Sequence, residues 1–295
     1  MIDIGIIGAG PAGLAAAIYA ERAGKHAVLF EAQMYGGKIV NVLKVANYPA
    51  IKEISGFDFA TNLYEQAINL GAELKKAKVV GIEDKGDYKI LKTNEGNFDV
   101  KAVIIATGAS NKPLGVDNEV DYIGKGVSYC ATCDGAFFKG KDVAVVGGGD
   151  TAFEDALFLT NYCNKVYLIH RRDEFKAEQS FVDELKKKNN IEFILNSTVT
   201  KLNGDSKLES IEINNDKIIE VAGLFIAVGI LPSNTAFENV VDLDNLGFVV
   251  AKEDCITKTP GVFVAGDTRV KNVRQLTTAC ADGAVAALAA CNYIK

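Results

Sequence analysis

Histidine is nearly missing from this chain of 295 residues: His26 and His170 are the only two. A zinc-type centre takes four ligands, and beyond Cys130 and Cys133 only the single cysteines Cys163, Cys255, Cys280 and Cys291 remain to complete one. No metal site is expected. Proline is scarce as well, at five, while 48% of the residues are hydrophobic, so a chain of this length can build two domains that each bury a core. No apolar stretch reaches the ~20 residues of a membrane span. Met1 to Gly10 runs straight into a strand and a glycine turn without a basic segment or cleavage site, which makes the cytoplasm the expected location. Basic runs with interleaved aromatics are absent too, and a net charge of -6 argues against a nucleic-acid surface. The four lone cysteines read as small core residues rather than as a disulfide framework.

Glycine, in contrast, is patterned. An apolar strand from Asp3 runs into Gly8-Ala-Gly10-Pro11-Ala12-Gly13 and then into the Ala-rich stretch Leu14 to Arg22, which has helical propensity. A second strand, His26 to Phe30, ends in Glu31, 18 residues past Gly13. Strand, glycine turn, helix and strand with a terminal acid make a dinucleotide unit: the glycines let the backbone approach a pyrophosphate, the helix N-terminus stabilises its charge, and the acid accepts from an adenosine ribose. A loop-rich region with Gly36-Gly37-Lys38 and Asn47-Tyr48-Pro49 follows, then helical spacing from Phe57 to Gly71. Strands are expected at Lys78 to Ile82, Tyr88 to Thr93 and Asn97 to Val100, with Asn94-Glu95-Gly96 as a hairpin turn, and a buried strand from Ala102 ends in the turn Ala106-Thr107-Gly108.

The second half repeats the first at an offset of 139 residues, from Gly8 to Gly147. Gly147-Gly148-Gly149-Asp150-Thr151-Ala152 follows a strand from Asp142, with Ala152 where Gly13 stood, and Val166 to Ile169 matches the strand before Glu31. His170 takes the place of that acid and is followed by Arg171 and Arg172. A carboxylate repels a ribose 2′-phosphate and guanidinium groups pair with one, so the first unit suits a plain adenosine and the second NADP. Leu224 to Gly229 echoes Val103 to Gly108. The strands Phe248 to Val250 and Gly261 to Ala265, the latter leading into Gly266-Asp267, and a helix from Gln275 to Tyr293 are too little for a third domain. The expected architecture is α/β, with two Rossmann-like dinucleotide-binding domains: residues 1–114 with 244–295, and an inserted domain of residues 115–243.

Between the fingerprints stands Cys130-Ala-Thr-Cys133, followed by Asp134-Gly135. Cysteines at this spacing, with a turn at the start of a helix, close a small reversible disulfide. Asp134 is either an acid that keeps proton transfer in step or a helix cap.

Together these motifs, with Arg274-Gln275-Leu276, resemble the low-molecular-weight thioredoxin reductases, FAD-containing members of the pyridine nucleotide-disulfide oxidoreductase family, over essentially the whole chain. The resemblance implies FAD on the first unit, at Gly8, Gly10, Pro11, Ala12, Gly13, Glu31, Ala32, Gly37, Lys38 and Asn47, with Ala106, Thr107 and Gly108. Gly266, Asp267, Arg274, Gln275 and Leu276 are implied at the FAD site as well, with Asp267 and Arg274 to Leu276 at its flavin end. NADPH is implied on the second unit, at Gly147, Gly149, Asp150, Thr151, Ala152, His170, Arg171, Arg172 and Lys176. It further implies a homodimer in which hydride passes from NADPH to FAD, then to the disulfide and on to thioredoxin or a thioredoxin-like protein, with Cys133 toward the flavin and Cys130 outward. Three positions depart from the family pattern: Lys38 for the usual Gln, Ala50 for the Gly after Asn-Tyr-Pro, and Lys176 for a third Arg. Other readings of the motifs are a ferredoxin or reduced flavin as donor, a dithiol oxidase, a peroxiredoxin as substrate, and a non-catalytic redox sensor. Because nicotinamide and disulfide belong to one inserted domain and must meet one flavin, that domain is expected to turn on connections near Lys112 to Asn118 and Val241 to Asn245.

Overall fold

The structure is a computed structural model that describes residues 1–42 and 44–294. Contacts divide the chain into two units, Met1–Ser110 with Leu231–Lys295, and Asn111–Ile230.

In the first unit, β1 (Ile2–Ile7), α1 (Pro11–Arg22) and β2 (Ala27–Glu31) form the expected dinucleotide motif. The inner residues of both strands are buried, as parallel strands covered on both faces require, and Ile4 lies opposite Ala27. Pro11 at the first position of α1 presets the helical φ without losing a useful N–H. Helix α2 (Gly56–Asn69) starts at Ser55, whose Oγ accepts the Asp58 N–H at 3.0 Å. Strand β3 (Glu73–Lys76) joins β2 in parallel, and β5 (Lys89–Thr93) runs antiparallel to both of its neighbours, β4 (Val79–Asp84) and β6 (Gly96–Ile105). The expected strands at Asn97 to Val100 and from Ala102 are one strand, β6. Lys101 does not interrupt it, because it faces outward and its Nζ donates to Asp3 Oδ1 at 2.7 Å. The first part of β6 pairs with β5 and the second lies parallel to β1, giving the order β3-β2-β1-β6-β5-β4.

The second unit is entered through β7 (Ala109–Asn111). It contains β8 (Val127–Ser128), α3 (Ala131–Asp134), β9 (Asp142–Val146), α4 (Asp150–Thr160), β10 (Lys165–Ile169), α5 (Gln179–Leu185) and β11 (Ile191–Ile194). An antiparallel sheet of β12 (Val199–Asn203), β13 (Ser210–Ile213) and β14 (Lys217–Glu220) follows, then β15 (Gly223–Ile226). The parallel sheet has the order β11-β10-β9-β15-β8, so β9, α4 and β10 repeat the roles of β1, α1 and β2. The chain leaves through β16 (Ile230–Pro232), which pairs with β7 in a two-stranded ribbon. Back in the first unit, β17 (Val262–Val264) adds to β6 in parallel and α6 (Leu276–Tyr293) closes the fold.

Two expectations are corrected. Residues 231–243 belong to the first unit, because Phe237, Val240 and Val241 share a core with Ile7, Val103 and Val264, and Asn239 Nδ2 donates to Ile82 O at 2.7 Å. The crossings therefore lie at Ser110 to Asn111 and Ile230 to Leu231, not near Asp244. The expected strand Phe248 to Val250 is reduced to single bridges from Val249 to Leu243 and to Arg269.

Candidate active site

In the first cradle the glycines are fixed by contact. Gly8 has φ +103, and a Cβ there would stand 2.5 Å from Ala106 O; one on Gly13 would stand 2.0 Å from Gly8 O. The turn is thus pressed between the end of β6 and the start of α1. Gly37 closes its open side, 3.3 Å from Gly10 Cα by its added Cβ. No side chain caps α1, which leaves its first N–H groups free for an anion. Glu31 accepts from Ala9 N–H and Gln33 N–H, both at 2.9 Å, and each carboxylate oxygen keeps lone-pair capacity for a ribose hydroxyl. Ala32 follows on the exposed rim, and Asn47 Nδ2 donates to Gln275 Oε1 at 3.3 Å, next to Leu276 at the start of α6.

The far end of this cradle is polar. Asp267 Oδ1 is buried and has no hydrogen-bond partner among the described residues, while Oδ2 lies 3.9 Å from Lys38 Nζ. Burial pushes the Lys38 ammonium down, the Asp267 charge opposes this, and Arg274 adds to it. Arg274 is occupied by backbone: it donates to the carbonyls of Lys271, Arg269 and Asp267 at 3.0 to 3.3 Å and lies over Phe248. Its role is to shape the turn after β17.

Two residues that the sequence patterns did not single out hold this end. Asn234, almost fully buried, accepts from Thr268 Oγ1 at 2.7 Å and Thr107 Oγ1 at 3.1 Å, tying the turn after β6 to the turn after β17. Asp282 on α6 accepts from Gly266 N–H at 3.0 Å, from Arg269 at 2.8 and 2.9 Å, and from Lys271 at 2.8 Å. An acid alone in an alanine-rich helix was the available signal for Asp282; Asn234 carried none.

The second cradle is built differently. A Cβ on Gly147 would meet Ala227 O at 2.5 Å and the Ala152 methyl at 2.6 Å, and one on Gly148 would fall on the His170 ring at 2.1 Å. His170 therefore lies on the turn itself. Lys176 N–H donates to Gly148 O at 2.7 Å and Glu178 N–H to Asp150 Oδ1 at 2.7 Å, folding the 171–178 segment back onto the glycines. Arg171, Arg172, Lys176 and Thr151 are exposed, and no ion pair engages the three cationic side chains among the described residues. Gly149 leaves α4 without a side-chain cap.

Between β8 and β9, Cys130 and Cys133 form a disulfide with Cα atoms 5.3 Å apart. Cys130 is the N-cap of α3, and its Sγ accepts Cys133 N–H at 3.2 Å. Asp134 ends α3 and makes no cap hydrogen bond; Ser128 Oγ donates to it at 2.6 Å. Burial raises the Asp134 carboxyl above its ordinary range, with the Ser128 hydrogen bond opposing. This favours the acid over the cap. Cys133 is exposed and Cys130 half-buried. Cys163 and Cys255 are buried, as expected of core residues, whereas Cys280 and Cys291 are half-exposed. No group of metal ligands and no helix long and apolar enough to cross a membrane occurs among the described residues.

A disulfide in a chain with two dinucleotide cradles defines a class of redox protein. The family model described as pyridine nucleotide-disulphide oxidoreductase matches residues 2–283, and the chain belongs to that family. The thioredoxin reductase of Peptoclostridium acidaminophilum is 40% identical over 305 residues, covering 99% of this chain and 97% of that protein. That of Listeria monocytogenes is 40% identical over 299 residues, covering 99% and 94%. Among solved structures, thioredoxin reductase from Streptococcus pyogenes superposes with a TM-score of 0.95 at 38% identity, covering 99% of this chain and 98% of that one. The Lactococcus lactis enzyme in its FR conformation gives 0.68 at the same identity, covering 100% and 99%. Within the family the chain falls among the thioredoxin reductases. Membership implies a flavin, a pyridine nucleotide and a redox-active disulfide.

Proposed function

We propose that the protein carries electrons from NADPH through FAD to the Cys130–Cys133 disulfide, and from the dithiol to thioredoxin or a thioredoxin-like protein. The observation that carries this reading is the contrast between the two ribose ends: Glu31 in one cradle, the uncommitted Arg171 and Arg172 in the other. Gly8, Gly10, Gly13, Glu31, Lys38 and Asp267 would hold FAD, and the unpartnered Asp267 Oδ1 fits a ligand rich in hydroxyl and ring nitrogen groups. Gly147, Gly149, Arg171, Arg172 and Lys176 would hold NADPH. When bound, FAD supplies the two-electron link between a nicotinamide hydride and a disulfide.

The chain's own residues do the rest. Two electrons and two protons open the disulfide to a dithiol, and Asp134, its proton affinity raised by burial, can hold one proton and release it beside the sulfurs. The Cys133 N–H favours a thiolate on Cys130, which suits that sulfur to attack a partner's disulfide. Exposed Cys133 then resolves the mixed disulfide. The reading includes a homodimer in the cytoplasm, as the resemblance to thioredoxin reductases supports.

Steady-state turnover with thioredoxin, comparing NADPH with NADH, tests it. Arg171→Ala combined with Arg172→Ala should remove an NADPH preference of at least tenfold, since charge-assisted hydrogen bonds contribute about 1.5 to 3 kcal/mol each. An unchanged preference, or turnover with neither nucleotide, overturns the donor assignment.

A further inference from the structure

Strand β8 ends at Ser128, two residues before the first cysteine, and the sheet sets its place: Ser128 lies opposite Phe225 of β15 and is buried. Its Oγ accepts the Cys130 N–H at 3.1 Å and donates to Asp134 Oδ2 at 2.6 Å. A second acceptor, Cys130 O, stands 3.4 Å from the same Oγ and already takes the Asp134 N–H at 3.1 Å. The far end of the segment is fixed as well, since a side chain on Gly135 would stand 2.9 Å from Leu159 Cδ2. One buried hydroxyl therefore holds both the backbone of the first cysteine and the carboxyl that follows the second. A hydroxyl has one proton and two lone pairs, so its proton serves one acceptor at a time, and the shorter distance assigns it to Asp134.

We propose that Ser128 is a positioning residue for proton transfer at the disulfide: its hydroxyl donates to Asp134 as a carboxylate and accepts from Asp134 as an acid, its own proton then turning to Cys130 O. The inference rests on the reading of Asp134 as the proton carrier. In both states one Oγ lone pair takes the Cys130 N–H. When Asp134 is protonated, the other lone pair takes its O–H, and the hydroxyl proton uses the lone pair that Asp134 N–H leaves spare on Cys130 O. The proton thus comes and goes without leaving Ser128 or the Cys130 backbone unsatisfied. The step is proton uptake by Asp134 Oδ2 from hydronium, which becomes water, and its reverse; no other covalent bond changes. A hydroxyl bonds a carboxylate more strongly than a neutral acid, so Ser128 opposes the rise in proton affinity that burial causes at Asp134. The other titratable groups around α3 are Tyr129, which donates to Glu119, the carboxyls of Asp150, Glu154 and Asp155 on α4, and Lys141, which lies over the Phe138 ring. None of them pairs with Asp134 among the described residues.

The test follows the carboxyl carbon of Asp134 by NMR in the oxidised holoenzyme labelled with 13C-aspartate, across the pH range in which the protein stays folded. Loss of one resonance in Asp134→Asn identifies it. Ser128→Ala should raise the Asp134 midpoint by about one pH unit, because the hydroxyl favours the charged form. A Ser128 that only caps the Cys130 backbone would leave that midpoint where it is, so an unmoved or lowered midpoint overturns the proposal. Should Ser128→Ala not fold, the native chain labelled with 15N-cysteine decides. The Cys130 amide resonance should then titrate with the midpoint of Asp134, since the hydroxyl it bonds changes partner there; an amide that does not titrate overturns the proposal. Native turnover of NADPH and thioredoxin by Asp134→Asn would overturn the proton-carrier reading, and the inference with it, whatever the midpoint of Asp134 does.

Discussion

Ala50 shows how one side chain is read from sequence and then explained by geometry. It stands where the resemblance leads one to expect glycine, and it adopts φ +68. Ile51 N–H donates to Tyr48 O at 3.1 Å across Pro49 and Ala50, a turn with proline at its second position and a left-handed residue at its third, where glycine fits best. An L side chain there costs about 1 to 2 kcal/mol, partly offset because glycine loses more freedom on folding. Ala50→Gly should therefore stabilise the protein by about 1 kcal/mol, seen as a higher urea midpoint with an unchanged slope; a lower midpoint contradicts the turn assignment. The disulfide of Cys130 and Cys133 was legible because the pair lies in one short local pattern, and Glu31 and Arg171 stand out in the sequence for the same reason. Asn234 and Asp282 were not, since each takes its meaning from a partner brought in from another part of the chain.

Among elements, the joint between the turn after β17 and α6 carries a buried ion network. Arg269, Lys271 and Asp282 are nearly excluded from solvent, while Glu253 pairs with Arg269 from the surface. Burial pushes the Asp282 carboxyl up, but hydrogen bonds from Arg269 and Lys271 outweigh it and hold the group below its ordinary range. A carboxyl with a lowered folded-state pKa stabilises the fold above its unfolded value, near 3.9, and that contribution is lost as the pH falls through the folded value. Asp282→Ala leaves buried Lys271 without its carboxylate and Arg269 with only the exposed Glu253, and should cost about 3 to 5 kcal/mol at neutral pH, with Gly266–Asp267 loosened. Urea unfolding measures this, and a cost under about 1 kcal/mol contradicts the network's role. Elements with strong local patterns, such as β1, α1 and β9, were legible. The single strand β6 and the bridges at Val249 were not, because pairing partners fixed them.

At the scale of the molecule, the repeat of 139 residues foretold two units of one design with the second inserted into the first, which the sheet orders bear out. The boundary at Ile230 was hidden because Phe237 to Val241 looks like any apolar segment until its core neighbours are known. On the proposed reading nicotinamide and disulfide both belong to the inserted unit, and serving one flavin in turn would require that unit to move on its two crossings. The central claim is that electrons pass from NADPH through the flavin to Cys130 and Cys133. Anaerobic titration of the purified protein with NADPH, followed by visible absorbance and thiol counting, tests it most directly. The account predicts that thiols appear at Cys130 and Cys133, that the flavin band is bleached by about two equivalents of NADPH, one for each two-electron centre, and that oxidised thioredoxin added afterwards restores it. A band that stays unbleached in excess NADPH would contradict it.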